Sequence, residues 1–378
     1  MVHRSATCLA GTGIINDPSR RVEPGAFGES RGCESSATAG MDATRLAVVG
    51  SPEGWSRDWC AGPSSNMLER SHDLPPCRRI RLGIVMPHEE PLRQTLVHEA
   101  MATRFSVQVV HSDPHYARQA VAAAFLELDT LEGQLSRFVE GSDVWRINRS
   151  RRGETVVVAR DTLRCLALAL DLQQRTGGAF DVTYRSPPAS PPAERLRLTP
   201  GRGAVHVLAE GVEVDLGGIG KGYALDRMAD LLKEWEITAV QLAASTSTVL
   251  AGAPPPDEPG WTVTFGSDGR LQQQLSHAAF SGSGLGVQGH HITDPNTGQP
   301  ARRRVRAWAR ARTAALADAL STAFLVMPAR AVARYCHDWS HTGEVRAYLQ
   351  PESGGVVLAL PDWATSKHDE RKRFCETT

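Results

Sequence analysis

The sequence has few lysines, no excess of either charge and no run of apolar residues long enough to cross a membrane. Only four of its 42 basic residues are lysine, and 42 acidic residues balance them to a formal net charge of zero. A neutral chain has no global field that would favour nucleic acid or a membrane surface as its partner. A spanning helix needs roughly 18–20 consecutive apolar residues, and no stretch approaches that length.

Paired cysteine motifs are missing as well. The seven cysteines are an odd number, no CxxC occurs, and four of the seven fall before residue 80. This pattern argues against a disulfide framework and a tetrahedral zinc site, so we expect reduced thiols. The first 21 residues contain no apolar core of the length that a secretory signal needs. We expect a cytoplasmic protein as the sequence is written, with export open if translation starts elsewhere.

Composition divides the chain into three parts. Residues 1–90 are rich in Gly, Ser, Pro, Arg and Cys and show neither helical nor strand periodicity, which predicts an irregular, disordered extension. Residues 91–362 are predicted to form one ordered domain. Residues 363–378 form a charged tail.

Hydrophobic periodicity predicts strands mixed with helices in this domain. Phe105, Val107 and Val109 alternate with polar neighbours, as in a strand with one face in a core. Over residues 115–138 apolar side chains recur at spacings of three and four, which predicts a long helix with the stripe Ala124, Leu128, Leu131, Leu135 and Phe138. A second helix is predicted over residues 161–178, where a final Gly pair suits a C-cap.

The second half of the domain continues this mixture. Residues 205–218 read as two short strands joined by a Glu-Gly turn, and a helix is predicted from Ala224. A further helix is predicted over residues 311–327, and the basic run at 301–312 predicts a strand with solvated arginines. Because helices and strands do not alternate strictly, the predicted fold class is α+β rather than a doubly wound sheet.

Residues 215–226, DLGGIGKGYALD, place four glycines around Lys221. The segment does not match a Walker A loop, because Gly222 stands where Ser or Thr is needed, and its GxGxG spacing does not match the Rossmann fingerprint. Closely spaced glycines nevertheless let backbone N–H groups approach an anion at a helix start, and Lys221 adds positive charge. The segment is therefore either a phosphate cradle or a tight turn with a solvent-facing lysine.

Three other segments carry side chains suited to chemistry. Asp318 and Thr322 in LADALSTAF share one face of a helix, and their oxygens suit a hard ion such as Mg²⁺, although an ordinary Asp and Thr would give the same pattern. In GHHITDPNTGQP a histidine beside an Asp-Pro turn suits acid–base work more than zinc binding. In GGAFDVT, Asp181 is either a functional acid or a cap.

Taken together, five segments occur in a familiar order: AMATRF, GAFDVT, DLGGIGKGYALD, HHITDPNTG and ADALSTAF. They resemble the ApbE-type flavin transferases, the magnesium-dependent FAD:protein FMN transferases, over roughly residues 96–361. The resemblance implies a single α+β domain that binds FAD in a cleft, with one or two Mg²⁺ at its diphosphate. It implies that the enzyme splits FAD, releases AMP and attaches FMN to a Thr or Ser of a target flavoprotein.

The resemblance also implies a role for each matching residue. Magnesium would be held by the Gly220 carbonyl, Asp318 and Thr322. Lys221 would approach the phosphates, and His291 would serve the transfer of the FMN phosphoryl group. The residues implied to contact FAD are Met101, Ala179, Phe180, Asp181, Lys221, Asp226 and Ile292.

The chain departs from the family pattern at three places. Ala102 follows Met101 where the family has Gly, and Ser245 and Thr246 replace two glycines. Tyr184-Arg185 stands where Gly-Pro is usual. A Cβ at a former glycine crowds a ligand that approaches the backbone closely. Two alternatives to the transferase stay open: an FAD pyrophosphatase that yields FMN and AMP, and a non-catalytic FAD-binding protein.

Overall fold

The computed structural model of the protein describes residues 92–188, 190–266, 269, 271–284, 292–339, 345–351 and 357–360. The strands, in chain order, are β1 (Leu92–Ala100), β2 (Thr103–His111), β3 (Thr155–Val157), β4 (Leu196–Thr199), β5 (Ala204–Val207), β6 (Val240–Ala244), β7 (Thr248–Ala251), β8 (Trp261–Phe265), β9 (Leu271–Leu275), β10 (Ala278–Gly284), β11 (Thr293–Asp294), β12 (Gln299–Pro300), β13 (Arg304–Ala311), β14 (Arg346–Pro351) and β15 (Leu358–Leu360). The helices are α1 (Pro114–Leu135), α2 (Asp143–Arg149), α3 (Arg160–Arg175), α4 (Gly220–Glu234), α5 (Ala314–Val326) and α6 (Ala329–Asp338).

An antiparallel sheet of eight strands, in the order β1-β2-β6-β7-β10-β13-β14-β15, organises the domain. Helices α1, α4 and α5 pack side by side on one face of it. Alternation along the strands divides their side chains between two cores, because successive residues point to opposite faces. On β13, Ala307 and Ala309 face the helices, whereas Trp308 joins an aromatic cluster with Phe265 and Phe280 on the other face. Helices on an antiparallel sheet confirm the predicted α+β class.

The two predicted N-terminal helices are confirmed, but both end earlier than expected. Helix α1 ends at Leu135, and Phe138 lies beyond it with 78 % of its surface exposed, so the prediction that Phe138 completes the apolar stripe was wrong. Helix α3 ends at Arg175. Gly177 and Gly178 follow it with φ of +60° and +80°, the left-handed conformation that stops a helix and favours glycine.

The predicted hairpin within residues 205–218 is half wrong. Its first strand is β5, but the residues after the turn form no strand although Val212 and Val214 are buried. A side chain supplies the hydrogen bonds that a neighbouring strand would give. The Asn148 side chain donates to the Val214 carbonyl at 2.9 Å and accepts from its N–H at 2.7 Å. The alternation of apolar residues thus predicted correctly which side chains are buried. The hydrogen-bond partner of the Val214 backbone, however, is a side chain of α2 and not a neighbouring strand.

The basic run forms β13 as predicted, but its arginines are not all solvated. Arg304 is buried and donates to the carbonyls of Phe324 and Met327, the latter at 2.6 Å. These carbonyls belong to the end of α5, where a positive charge is favoured by the helix dipole. Burial lowers the pKa of Arg304 to about 10, and the side chain remains the donor that closes this helix end.

The predictions for residues 1–90 and 363–378 lie outside the described residues, and the domain boundaries stay predictions. Within the described ranges, no helix combines the length and apolar character that crossing a bilayer requires.

Helices α4 and α5 approach each other so closely that their backbones touch. A Cβ on Gly222 would lie 2.3 Å from the Ala314 carbonyl oxygen and 2.7 Å from the Ala315 nitrogen. The same contact brings Asp226 to the start of α5, where its carboxylate accepts the N–H groups of Ala314 and Ala315 at 2.7 and 2.9 Å. Asp226 therefore satisfies two of the donors that a helix N-terminus leaves unpaired. This contact fixes α5 relative to α4.

The turn between β1 and β2 holds two non-glycine residues in the left-handed conformation. Met101 and Ala102 have φ of +50° and +55°, and the pairing of Ala100 with Thr103 makes them the two central residues of a tight hairpin. Positive φ at both central residues is the geometry of a type I′ turn, which normally takes Asn or Gly. The turn is therefore under steric strain.

Gly222→Ala is expected to lower the free energy of unfolding by about 3 kcal/mol, because the added methyl group must displace backbone atoms of α5. Urea denaturation followed by circular dichroism measures the change. Gly133→Ala in α1 is the matched control, since a Cβ there would have no heavy atom within 4 Å. That exchange should raise the free energy of unfolding by about 0.5–1 kcal/mol. Similar effects of the two substitutions would contradict the close contact.

Ala102→Gly is expected to raise the free energy of unfolding by about 0.5–1 kcal/mol. It relieves the left-handed strain of about 1–2 kcal/mol, while the greater freedom of glycine in the unfolded chain offsets part of the gain. Ala243→Gly is the control, because Ala243 lies in the middle of β6, where the same exchange destabilises. The same urea experiment decides the point, and a loss of stability with both variants would show that the turn is unstrained.

Candidate active site

The glycine-rich segment forms a turn at residues 217–219 and then the first turn of α4. The helix begins at Gly220, four residues before the predicted Ala224, so Lys221 and Gly222 lie in its first turn. The Lys221 ammonium group folds back and donates to the Gly217 carbonyl at 2.7 Å. Its side chain is only 25 % exposed, which excludes the alternative of a solvent-facing lysine.

Asp318, on α5, is buried against this first turn with 3 % of its surface exposed. Its Oδ2 accepts a hydrogen bond from the Gly222 N–H at 3.2 Å and lies 3.6 Å from the Lys221 Nζ. Its Oδ1 lies 3.3 Å from the hydroxyl oxygens of both Thr248 and Ser281, within hydrogen-bond reach of each. A buried carboxylate needs such partners to replace the water that it has lost. Lys221 and Asp318, which the sequence separates by nearly a hundred residues, therefore form one ion pair.

Thr322 lies one helical turn after Asp318, and its hydroxyl bonds back to the Asp318 carbonyl at 3.3 Å. The glycine-rich segment passes close to it: a Cβ on Gly218 would lie 3.5 Å from the Thr322 Oγ1 and 3.2 Å from the ring of Phe180. The absence of a side chain at Gly218 thus lets three of the sequence motifs meet at one point.

The GGAF segment also contacts the turn that follows the predicted histidine. A Cβ on Gly178 would lie 2.8 Å from the Asn296 Oδ1, and the Asn296 amide reaches the Gly177 carbonyl at 3.5 Å. Asn296 belongs to the Pro-Asn-Thr-Gly turn. Ala179 and Phe180 are buried directly beside this contact. Four of the five motifs are therefore contiguous in the structure.

Two predicted FAD contacts have their carboxylates engaged within the protein. Asp181 is buried and pairs with Arg195 at 3.2 Å, while its other oxygen accepts the N–H and the hydroxyl of Thr183 at 2.7 Å. Asp226 accepts the two N–H groups at the start of α5 described above, and burial raises its pKa to about 7. The structure thus gives both carboxylates a structural partner, and their contacts with FAD stay predictions.

The remaining predicted residues lie in other positions. Met101 occupies the β1–β2 turn. Ala102, which follows it, lines a cavity of about 720 Å³ together with Ser245, Thr246, Glu99, Arg104 and Glu132. Ile292 packs against the main core. His291 lies outside the described residues, and its role stays a prediction.

Sequence reasoning missed the hydroxyl groups that surround Asp318. Thr248 ends up beside it because β7 begins there, and Ser281 and Ser283 reach the same place from β10. The signal was present in the SGSG run at residues 281–284, where two hydroxyls alternate with glycines on one side of a strand. Arg195, the partner of Asp181, was missed because nothing in the sequence links a proline-rich loop to the GAFDVT segment.

The donors at this site fit a magnesium ion bound to a diphosphate. Within the ranges that the structure describes, no group of three or more His, Cys, Asp or Glu side chains could hold a metal. The candidate donors are the Asp318 carboxylate, the Thr322 hydroxyl and the Gly220 carbonyl, which are hard oxygen atoms. Mg²⁺ is commonly held by one or two carboxylates plus the phosphates of a substrate. Three protein donors are too few to fill the coordination shell of Mg²⁺. They suit a site in which the oxygens of a diphosphate supply further ligands.

Comparison with known proteins identifies relatives of the chain. The model of the ApbE family matches residues 101–349. An FAD:protein FMN transferase of Vibrio cholerae is 26 % identical over 279 residues, which cover 63 % of this chain and 83 % of that protein. The corresponding protein of Klebsiella pneumoniae is 23 % identical over 270 residues, covering 61 % and 77 %.

Solved structures show the same fold. The flavin transferase ApbE from Vibrio cholerae superposes with a TM-score of 0.61 at 21 % identity, over 71 % of this chain and 97 % of that one. The ApbE protein from Thermotoga maritima gives a TM-score of 0.59 at 26 % identity, over 70 % and 96 %. The matched residues 101–349 include Lys221, Asp318 and Thr322, and the chain belongs to the ApbE family.

Proposed function

We propose that the protein transfers FMN from FAD to a Thr or Ser hydroxyl of a target flavoprotein and releases AMP. The observation that carries this proposal is the meeting of Lys221, Asp318 and Thr322 at the start of α4. A diphosphate would suit this place, because it offers the Lys221 ammonium group, two oxygen donors of the kind that bind Mg²⁺, and the N-terminus of a helix. The relatives named FAD:protein FMN transferase support flavin transfer as the activity.

In phosphoryl transfer the main tasks of the protein are to position the reacting groups and to supply positive charge. Positioning and neutralisation of the developing negative charge supply most of the acceleration. In this proposal a magnesium ion held by Asp318, Thr322 and the Gly220 carbonyl would neutralise charge on the diphosphate as AMP leaves. Lys221 adds a second positive charge, which its bond to the Gly217 carbonyl holds in place.

The attacking oxygen comes from the partner protein. The acceptor hydroxyl attacks the FMN phosphorus, a new phosphoester bond forms, and the bond to the AMP phosphate breaks. The proton of the hydroxyl needs an acceptor, and we assign this task to His291 on the sequence pattern alone. The partners are therefore FAD and a flavoprotein that presents a Thr or Ser.

Asp318→Asn is expected to lower the rate at which AMP is released from FAD in the presence of Mg²⁺ by about 100-fold or more. The substitution removes the negative charge that would hold the metal. The assay combines the full chain, FAD, Mg²⁺ and an acceptor flavoprotein, with AMP measured by chromatography and bound FMN by intact mass. Asp230→Asn is the matched control, since Asp230 lies exposed on α4 nine residues after Lys221, and it should retain the wild-type rate.

The products distinguish the proposal from its alternatives. AMP together with a mass increase of one FMN on the acceptor supports the transferase. AMP with free FMN and an unmodified acceptor would identify an FAD pyrophosphatase. FAD binding without AMP release, both with and without the acceptor flavoprotein, would contradict both reactions. It would identify a non-catalytic FAD-binding protein.

A further inference from the structure

Five hydroxyl side chains from three elements form a connected cluster beside Asp318. They are Thr248 on β7, Ser281 and Ser283 on β10, and Ser321 and Thr322 on α5. Thr248 and Ser281 lie 2.9 Å apart, and Ser281 lies 3.4 Å from Ser321. Ser283 then joins Ser321 at 2.8 Å and Thr322 at 3.2 Å. The cluster runs without a gap from the Asp318 carboxylate to the Thr322 hydroxyl, the two side chains proposed to hold magnesium.

The two oxygens of the Asp318 carboxylate have different surroundings. Oδ1 faces the fully buried hydroxyls of Thr248 and Ser281. Oδ2 faces the first turn of α4, where Lys221 and the Gly222 N–H lie. The torsion that turns an aspartate carboxylate about its own axis is soft, so only its contacts decide which oxygen faces the ligand. The hydroxyls therefore fix the carboxylate by the oxygen that points away from Lys221.

We propose that Thr248 and Ser281 act together as positioning residues, which hold Asp318 by Oδ1 so that Oδ2 is presented to the metal–diphosphate group. This inference rests on the proposed function, because it assigns a role within the same site. Neither side chain touches the ligand in this proposal. Both act through the carboxylate, as the outer partners of metal ligands do elsewhere.

Proton counting makes the two hydroxyls redundant. Each hydroxyl has one proton to donate, and the short contact between Thr248 and Ser281 uses one of the two. The other proton is donated to Asp318. When either hydroxyl is removed, the survivor no longer needs to bond its partner and can donate to the carboxylate. Loss of both leaves Oδ1 buried without a side-chain hydroxyl donor from β7 or β10.

The proposal therefore predicts a strongly non-additive pair. Thr248→Val and Ser281→Ala should each weaken the binding of Mn²⁺, a probe for Mg²⁺, by no more than about 3-fold. The double variant should weaken it by about 20-fold or more, within the 10–100-fold range typical of partners that orient metal ligands. Binding is measured by calorimetric titration of Mn²⁺ in the presence of ADP, which supplies a diphosphate that carries no flavin.

Two controls keep packing apart from positioning. Thr248→Ser retains the hydroxyl and should behave as the wild type. Ser247→Ala removes a neighbouring hydroxyl that bonds the Ala244 carbonyl and Thr248, and it too should leave Mn²⁺ affinity unchanged. Kinetics add a second readout: in the double variant the Mg²⁺ concentration for half-maximal AMP release should rise with the loss of affinity, while kcat at saturating Mg²⁺ changes less.

The outcomes separate this inference from the proposed function. If the double variant, shown to be folded by its thermal midpoint without metal, binds Mn²⁺ as tightly as the wild type while Asp318→Asn loses binding, the hydroxyls only pack and the inference is wrong. If the loss of Mn²⁺ affinity in the double variant equals the sum of the losses in the two single variants, in free-energy terms, the two hydroxyls are not redundant. If Asp318→Asn itself binds Mn²⁺ normally, the metal site of the proposed function fails instead.

Discussion

The contact between the first turn of α4 and the first turn of α5 determines most of the site. Gly222 permits it, because any side chain there would overlap the backbone at Ala314. Once the helices touch, the Gly222 N–H meets the Asp318 carboxylate and Lys221 lies beside it. Asp226 secures the same contact from the other side by capping α5. A structural requirement and the proposed chemistry therefore depend on one close approach of two helices.

The sheet contributes to the site through the alternation of its strands. Thr248 and Ser281 are directly opposed on the antiparallel strands β7 and β10, so their side chains point to the same face. Apart from Ser283, the buried residues of that face are mostly apolar, and the helices cover them. A pair of hydroxyls in such surroundings needs a polar partner, and the Asp318 carboxylate is that partner. The buried charge of α5 and the buried hydroxyls of the sheet thus satisfy each other.

The sequence predicted those parts of the structure that local patterns encode. Apolar spacing located α1, α3 and α5, and the order of five motifs indicated a fold that the structure and the family comparisons confirm. It could not show that Asn148 would pair the backbone of Val214, or that Arg304 would reach the end of α5, because those partners are distant in the chain. It also placed the start of α4 too late, since a glycine-rich segment resembles a loop until a second helix supports it.

Two of the three departures from the family pattern, Ala102 and Ser245-Thr246, line one cavity rather than the Asp318–Lys221 ion pair. Ala102 and Ser245 have φ of +55° and +52°, so both retain the backbone conformation that favours the glycine they replace. Each holds strain of about 1–2 kcal/mol, and with Thr246 both line the cavity beside Met101. The side chains have thus changed the wall of the cavity while the turns themselves remain. Because Lys221, Asp318 and Thr322 match the family pattern, we expect any difference in activity from other family members to arise at this cavity rather than at the proposed diphosphate site.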